Sequence, residues 1–288
     1  MRRKIILASV LCLAAIAILA LAAAPAQAIV GGKLDGDNHP NVGMVCIDLG
    51  GGHWGFMGTC TLVGEDVVLT AAHVVDWVVR EGAEVEKVFV TFDSLVSDAA
   101  TRYYATSIGI EVNPIWWTAP ALWSNSKSLG LGPGAEDEAL VWLQKPVTDI
   151  TPAKIVAADG LSGLDLKSSS FTVVGFGLVG IVSGNYLTVV LGRNPNTQML
   201  FIDGRHYKEV SVITEHDLFA DRYVKITASL GMGDSGGPLF YKGVEVAINA
   251  AGLGWKCIAP NYSYRLDAPL AHDFLAERLD SSSFVALP

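Results

Sequence analysis

The chain has 288 residues, about half of them hydrophobic, and a net charge of −9 that becomes −12 if the three cations Arg2, Arg3 and Lys4 leave with residues 1–28. An acidic balance of that size excludes nucleic acid as a natural partner, and the length left after residue 28 suits one large β domain or two small ones sharing a core. Of the 4 cysteines, Cys12 lies in the apolar leader, so Cys46, Cys60 and Cys257 remain and allow one intramolecular bridge, for which Cys46 with Cys257 is a candidate pair. Cys60, in a strand-like run, reads first as a small buried residue.

In chain order the first element is a leader. Arg2, Arg3 and Lys4 form a positive region, Ile5 to Ala23 an uncharged apolar run, and Ala26-Gln27-Ala28 a small-residue cleavage site, which together make an export signal over residues 1–28. Two rival readings are an uncleaved membrane helix, since the run approaches the length that spans a bilayer, and a twin-arginine address, for which Arg2 and Arg3 alone are a weak signal. A cut after Ala24 would leave a short Pro25–Ala28 pro-segment. With the signal removed, the protein is expected to be secreted or periplasmic, to meet the membrane only transiently during export, and to be a monomer.

Beyond residue 28, glycines and prolines punctuate short runs rich in Val, Ile, Thr, Phe and Tyr. Strands are expected at Val67–Thr70, Val88–Phe92, Tyr103–Val112, Ala139–Leu143 and Phe171–Val174, a spacing that favours an all-β sandwich or barrel. Helical spacing appears over Pro269–Leu279, and a short helical turn could begin at Ala71. Lys145–Ser170 is the expected crossover between two halves.

Three stretches carry chemistry. In TAAHVV, His73 follows the apolar strand VVLTAA. In EDEALVWL, Asp137 precedes another apolar strand. In GMGDSGGPLF, Ser235 sits among glycines. Singly, each has a plain reading: a satisfied core histidine, a strand-capping aspartate, a polar turn. Together they supply a nucleophile, a base that takes its proton and an acid that orients the base.

The set IVGG at 29–32, TAAHVV, EDEAL and GDSGGP, in that order, resembles the trypsin and chymotrypsin family of serine proteases. The resemblance covers nearly all of residues 29–288, including the glycine-flanked VVGFG at 173–177 and the C-terminal helix. It implies two six-stranded antiparallel β-barrels, about 29–150 and 151–288, followed by a helix, and a secreted serine endopeptidase that acts through an acyl-enzyme on protein or peptide substrates, with no cofactor and no metal. By the same resemblance Ser235 attacks, His73 moves the proton, Asp137 orients His73, and the backbone N–H groups of Gly233 and Ser235 form the oxyanion hole. Asp234 would receive the α-ammonium of Ile29, so that removal of the signal would itself activate the enzyme. Ser229 falls at the base of the primary pocket, where trypsin-like members carry an aspartate. An apolar or aromatic side chain is therefore expected before the scissile bond, because a buried arginine or lysine would lack a partner there. Ala250, Gly252 and the Ala259–Tyr262 region would wall the pocket.

The sequence also departs from the family. Gly58 and Val74 stand where a cysteine pair usually flanks the histidine, Gly231 replaces a cysteine near the pocket, and Ala250 stands where a serine usually supports the aspartate. Met232 precedes the oxyanion glycine and would touch substrate. His39, His53, His206, His216 and His272 lie outside every motif. Asp93 and Asp98 lack the ligand spacing of a calcium loop. The competing class is an inactive protease homologue that serves as a binding module.

Overall fold

The computed structural model describes residue 29 and residues 32–82, 84–95, 101–118, 136–177, 204–214, 222–253 and 258–288. The leader 1–28, Val30, Gly31, Asp98, His216 and Cys257 lie outside the described residues, and with them the cleavage site and the Cys46–Cys257 pairing.

Six strands close a barrel in the order β2-β3-β4-β7-β6-β5. They are β2 (Val42–Gly50), β3 (His53–Gly64), β4 (Val67–Thr70), β5 (Val88–Thr91), β6 (Tyr103–Val112) and β7 (Ala139–Leu143). β2 shows why a run with so little polar alternation forms a strand here. Val45 faces the barrel interior with Leu62, Leu69 and Val90, while Val42, Met44 and Cys46 face the other way, against Val174, Phe176 and Phe240 of the second half. Successive side chains of a strand point to opposite faces, and in β2 both faces are core.

The second half is a sheet of ten strands. Its members are β1 (Lys33–Leu34), β8 (Lys154–Val156), β9 (Phe171–Gly175), β10 (His206–Val210), β11 (Val212–Thr214), β12 (Tyr223–Ile226), β13 (Pro238–Tyr241), β14 (Val244–Leu253), β15 (Ile258–Arg265) and β16 (Phe284–Val285). Its path β1-β10-β9-β13-β14-β15-β12-β11 is antiparallel throughout, and among the described residues it curls without closing. Two pairings depart from the expected antiparallel pattern: β8, delivered by the 145–170 crossover, runs parallel to β14 and to β16. Parallel neighbours need long connections, and the crossover and the chain end provide them. The N-terminal arm joins this second sheet rather than the first barrel: β1 pairs with β10, and Ile29 bridges Leu230.

The arm is held by one buried cation. Arg205, only 1 % exposed, donates from Nε to Asp35 Oδ2 at 2.7 Å, from Nη1 to Val42 O at 2.9 Å and from Nη2 to Gly36 O at 2.6 Å. Burial alone would raise the Asp35 carboxyl, but hydrogen bonds from His39 and Arg205 outweigh it and hold the pKa below the usual carboxylate value. The ring of His39 stacks on Phe240.

Among the described residues two α-helices complete the fold. α1 (Ala72–Arg80) runs well past the turn expected at Ala71, burying Ala72, Val74, Val75 and Val78 at helical spacing. Tertiary burial overrides the modest helix preference of its four valines. α2 (Pro269–Ala276) starts with proline at its first position, where the missing N–H costs nothing. Just past its end, Arg278 ties the chain back to the first barrel, its Nε donating to Glu111 Oε2 at 2.8 Å.

One buried acid sits at the seam between the halves. Glu245 of β14 is fully buried; its Oε1 accepts the Thr61 hydroxyl of β3 at 3.1 Å, and Oε2 has no hydrogen-bond partner among the described residues. Burial pushes its pKa up to about 8, against a smaller downward pull from Thr61. A carboxyl raised in the fold leaves stability complete below its unfolded pKa and removes it progressively as pH climbs to the raised value. Glu245→Gln, similar in shape and never charged, should therefore raise the thermal midpoint by about 5 °C or more near pH 9 and change it little near pH 5, read from melts across that range.

Candidate active site

His73 enters the site on the first turn of α1. The helix has no side-chain cap of its own, because Ala71 occupies the capping position, so its first-turn N–H groups need partners from elsewhere. Asp137, fully buried just ahead of β7, supplies one. Its Oδ1 accepts the backbone N–H of His73 at 3.0 Å, and its Oδ2 accepts His73 Nδ1 at 2.8 Å. One carboxylate thus ends the helix and fixes the ring. Burial would lower the His73 pKa; the charge and hydrogen bond of Asp137, with a further contribution from Asp76, more than offset that and raise it. The pair leaves Nε2 as the remaining nitrogen, on a side chain 31 % exposed.

Ser235 comes from the opposite half, in the turn before β13, and one residue of β3 connects it to the histidine. A side chain at Gly58 would meet the Ser235 carbonyl oxygen and the two Val74 methyls, each at 2.9 Å. Glycine and valine at the departure positions thus fill the space between the serine loop and the residue after His73. Thr59 anchors the loop: its N–H donates to Ser235 O at 2.9 Å, and its hydroxyl donates to Gly233 O at 2.7 Å and accepts the Phe176 N–H at 3.2 Å. Gly233 has φ +99, and a Cβ there would collide with the Phe56 ring. That position is open to glycine alone.

Asp234 points away from the cleft. It is buried, and its two oxygens accept N–H groups from Gly177 at 2.8 Å and Gly231 at 2.7 Å. A Cβ at Gly175 or Gly177 would strike this carboxylate, which accounts for both glycines of VVGFG. Burial pushes the Asp234 pKa up to about 7, with the two amides pulling it down. Ile29, also fully buried, bridges Leu230 one residue from Gly231.

The residues expected to form the pocket fall in the loop after β12 and on β14. Ser229 lies between β12 and the serine loop, and Gly252 pairs with Asn261 across β14 and β15. Asn261 Nδ2 donates to Ala228 O at 2.5 Å, tying that wall to the residue before Ser229. Ala250 is buried and carries no donor toward Asp137. Met232 is half-buried in the same loop. Of the other histidines, His53 is exposed, His206 is buried on Gly204 O, and His272 packs on Phe284.

A closed six-stranded barrel beside a second curled β sheet, with a His–Asp pair in the first half and the serine turn in the second, is the fold of the chymotrypsin-like serine proteases. A family model described as the trypsin-like peptidase domain matches residues 58–248. That is more than half of the chain, so the chain belongs to this family of serine peptidases, which are hydrolases. Solved structures share the fold at low identity. Human heparin binding protein is 13% identical with TM-score 0.59, covering 87% of this chain and 97% of its own. An inactivated protease paralogue of the scabies mite is 16% identical with TM-score 0.56, covering 86% and 100%. The secreted serine protease VesC of Vibrio cholerae is 18% identical with TM-score 0.54, covering 82% of this chain and 46% of its own. No curated protein matches the sequence.

Proposed function

We propose that the protein is a secreted serine endopeptidase in which Ser235 is the nucleophile, His73 the general base and Asp137 the group that holds His73 in the productive tautomer. The observation that carries this reading is the buried Asp137 carboxylate accepting both the main-chain N–H and Nδ1 of His73. With the Nδ1 proton committed to Asp137, Nε2 is free to take the Ser235 proton as the oxygen attacks the peptide carbonyl, and later to return it to the leaving amine. The N–H groups of Gly233 and Ser235 receive the developing oxyanion, for which a donor is worth about 100-fold to 1,000-fold in turnover.

Ser229, Ala250 and Gly252 offer the primary pocket no carboxylate, which supports cleavage after apolar or aromatic residues rather than after arginine or lysine. The leader at 1–28 supports export. Cleavage after Ala28 would free the α-amine of Ile29, whose main chain bridges Leu230, and this supports an activating pair with Asp234.

A fluorophosphonate, which phosphonylates only an activated serine, tests the reading by intact mass. The chain starting at Ile29 should gain a single adduct, and Ser235→Ala or His73→Ala should gain none. A correctly folded chain from Ile29 that takes up no probe would overturn the assignment in favour of a binding module built on the same fold.

A further inference from the structure

The aspartate that orients the base has acids on both sides, and all three, Glu136, Asp137 and Glu138, are buried. They turn in different directions. Glu138 Oε1 accepts Asn113 Nδ2 at 2.7 Å, and the Asn113 N–H donates to Glu138 O at 3.1 Å, pinning that end of the segment to the first barrel. Glu136 crosses to the second sheet. Its Oε2 accepts the Tyr264 hydroxyl of β15, and its Oε1 lies 2.9 Å from Nη1 of Arg222, at the head of β12. The segments that carry those two partners are joined: Arg265 N donates to Arg222 O at 2.7 Å, and the rings of Tyr223 and Tyr264 meet edge to face at 5.5 Å.

Among the described residues Asp137 itself has no such tie. The donors on its oxygens there both belong to His73, the residue it has to orient, and Ala250 brings no hydroxyl to the place where the family's serine would stand. A carboxylate that holds its base without an independent support must be held through its own main chain. The neighbour that reaches across the cleft, onto the sheet that carries Ser235, is Glu136.

We propose that Glu136 is a positioning residue: gripped by Tyr264 and Arg222, it sets the main chain of Asp137 relative to the serine-bearing sheet and takes over the support that Ala250 lacks. The inference rests on the assignment of Asp137 and His73 above. Glu136 touches no reacting atom and acts through Asp137. The charged and titratable groups around it are Arg222, Tyr264, Tyr223, Asp137 and Glu138. Burial pushes the Glu138 carboxyl well above the usual range, and the charges of Glu136 and Asp137 add to that despite the Asn113 bond.

Tyr264→Phe removes one hydroxyl and no charge. If Glu136 positions Asp137, this variant, made in the chain starting at Ile29, loses about tenfold or more in kcat at unchanged KM. The acid limb of its kcat/KM profile moves to lower pH, as an imidazolium less well held by Asp137 gives up its proton sooner. Glu136→Ala should show the same pair of changes, Glu136→Gln, which keeps an acceptor for the hydroxyl, should restore most of kcat, and the Glu136→Ala, Tyr264→Phe double variant should be no worse than either single one. A folded Tyr264→Phe with wild-type kcat and acid limb, even with a lowered melting point, overturns the proposal. If Tyr264→Phe does not fold, equal loss in Glu136→Gln and Glu136→Ala overturns it. A wild-type chain that takes up no fluorophosphonate marks the separate failure of the protease assignment.

Discussion

Asp137→Asn is expected to reduce kcat at neutral pH by about 10⁴-fold, the scale this change has in the chymotrypsin-type triad, with little effect on folding or KM. The cause is visible in the two bonds that Asp137 accepts. Its oxygens face two donors, the His73 main-chain N–H at 3.0 Å and Nδ1 at 2.8 Å. A carboxylate satisfies both; a carboxamide has one acceptor and one donor group. With the amide oxygen on the helix N–H, the amide nitrogen faces Nδ1, which must then accept, so the ring proton moves to Nε2. A histidine protonated there cannot receive the Ser235 proton. Because the helix N–H still has its acceptor, α1 should keep its capped start and the melting point should change by less than about 2 kcal/mol of stability would produce. The measurement is steady-state kinetics over pH on a peptide substrate. Activity that recovers at high pH would be consistent with the tautomer argument, and an undiminished kcat at neutral pH would remove Asp137 from the mechanism.

Much of this site was legible because its signals are local. β4, β6 and β7 fall on the runs Val67–Thr70, Tyr103–Val112 and Ala139–Leu143, where apolar and β-branched residues are bounded by turn residues. The three short motifs around His73, Asp137 and Ser235 each needed only a few neighbours to be recognised. What escaped is made by residues distant in sequence. Arg205 and Asp35 are 170 positions apart, and Thr59 reaches the serine loop across 174; no periodicity marks such partners. Glu136 and Glu138 carry a signal of another kind, since three consecutive acids before an apolar strand suggest a solvated turn. Only the packing of β12, β15 and Asn113 around them shows that they are interior. The parallel β8 was equally hidden, because a three-residue strand inside a crossover takes its direction from partners at β14 and β16.

The chain beginning at Ile29 should be far more active than one blocked or extended there, and the pH dependence should identify the ion pair responsible. Ile29 is buried and bridges Leu230; Gly32 N donates to Ile29 O at 2.6 Å, and the Asp35–Arg205 clamp holds the arm that follows. A freed α-ammonium would therefore arrive beside Gly231, whose N–H already donates to the Asp234 carboxylate. In the uncut chain that carboxylate is buried, its donors among the described residues are the Gly177 and Gly231 amides, and its pKa is pushed up to about 7. An ammonium at this point would lower the Asp234 value and raise its own above the reference of about 8. The signs then follow for each partner. The raised amine contributes stability that is complete below its unfolded pKa and lost as pH rises through the folded one; the lowered carboxylate contributes stability present above its unfolded pKa and lost as pH falls through the folded one. Removing one partner of a buried pair costs about 3 to 5 kcal/mol. If that cost falls on the conformation that places Gly233 and Ser235, N-terminal acetylation or retention of Ala28 should lower kcat/KM by about 100-fold to 1,000-fold and abolish the reversible alkaline loss of activity. The check is a comparison of the free, acetylated and Ala28-extended chains between about pH 6 and pH 11, with fluorophosphonate uptake measured in parallel. A blocked chain with the full rate would show that the serine loop is organised by Gly177, Gly231 and Thr59 alone, and that export and activation are separate events.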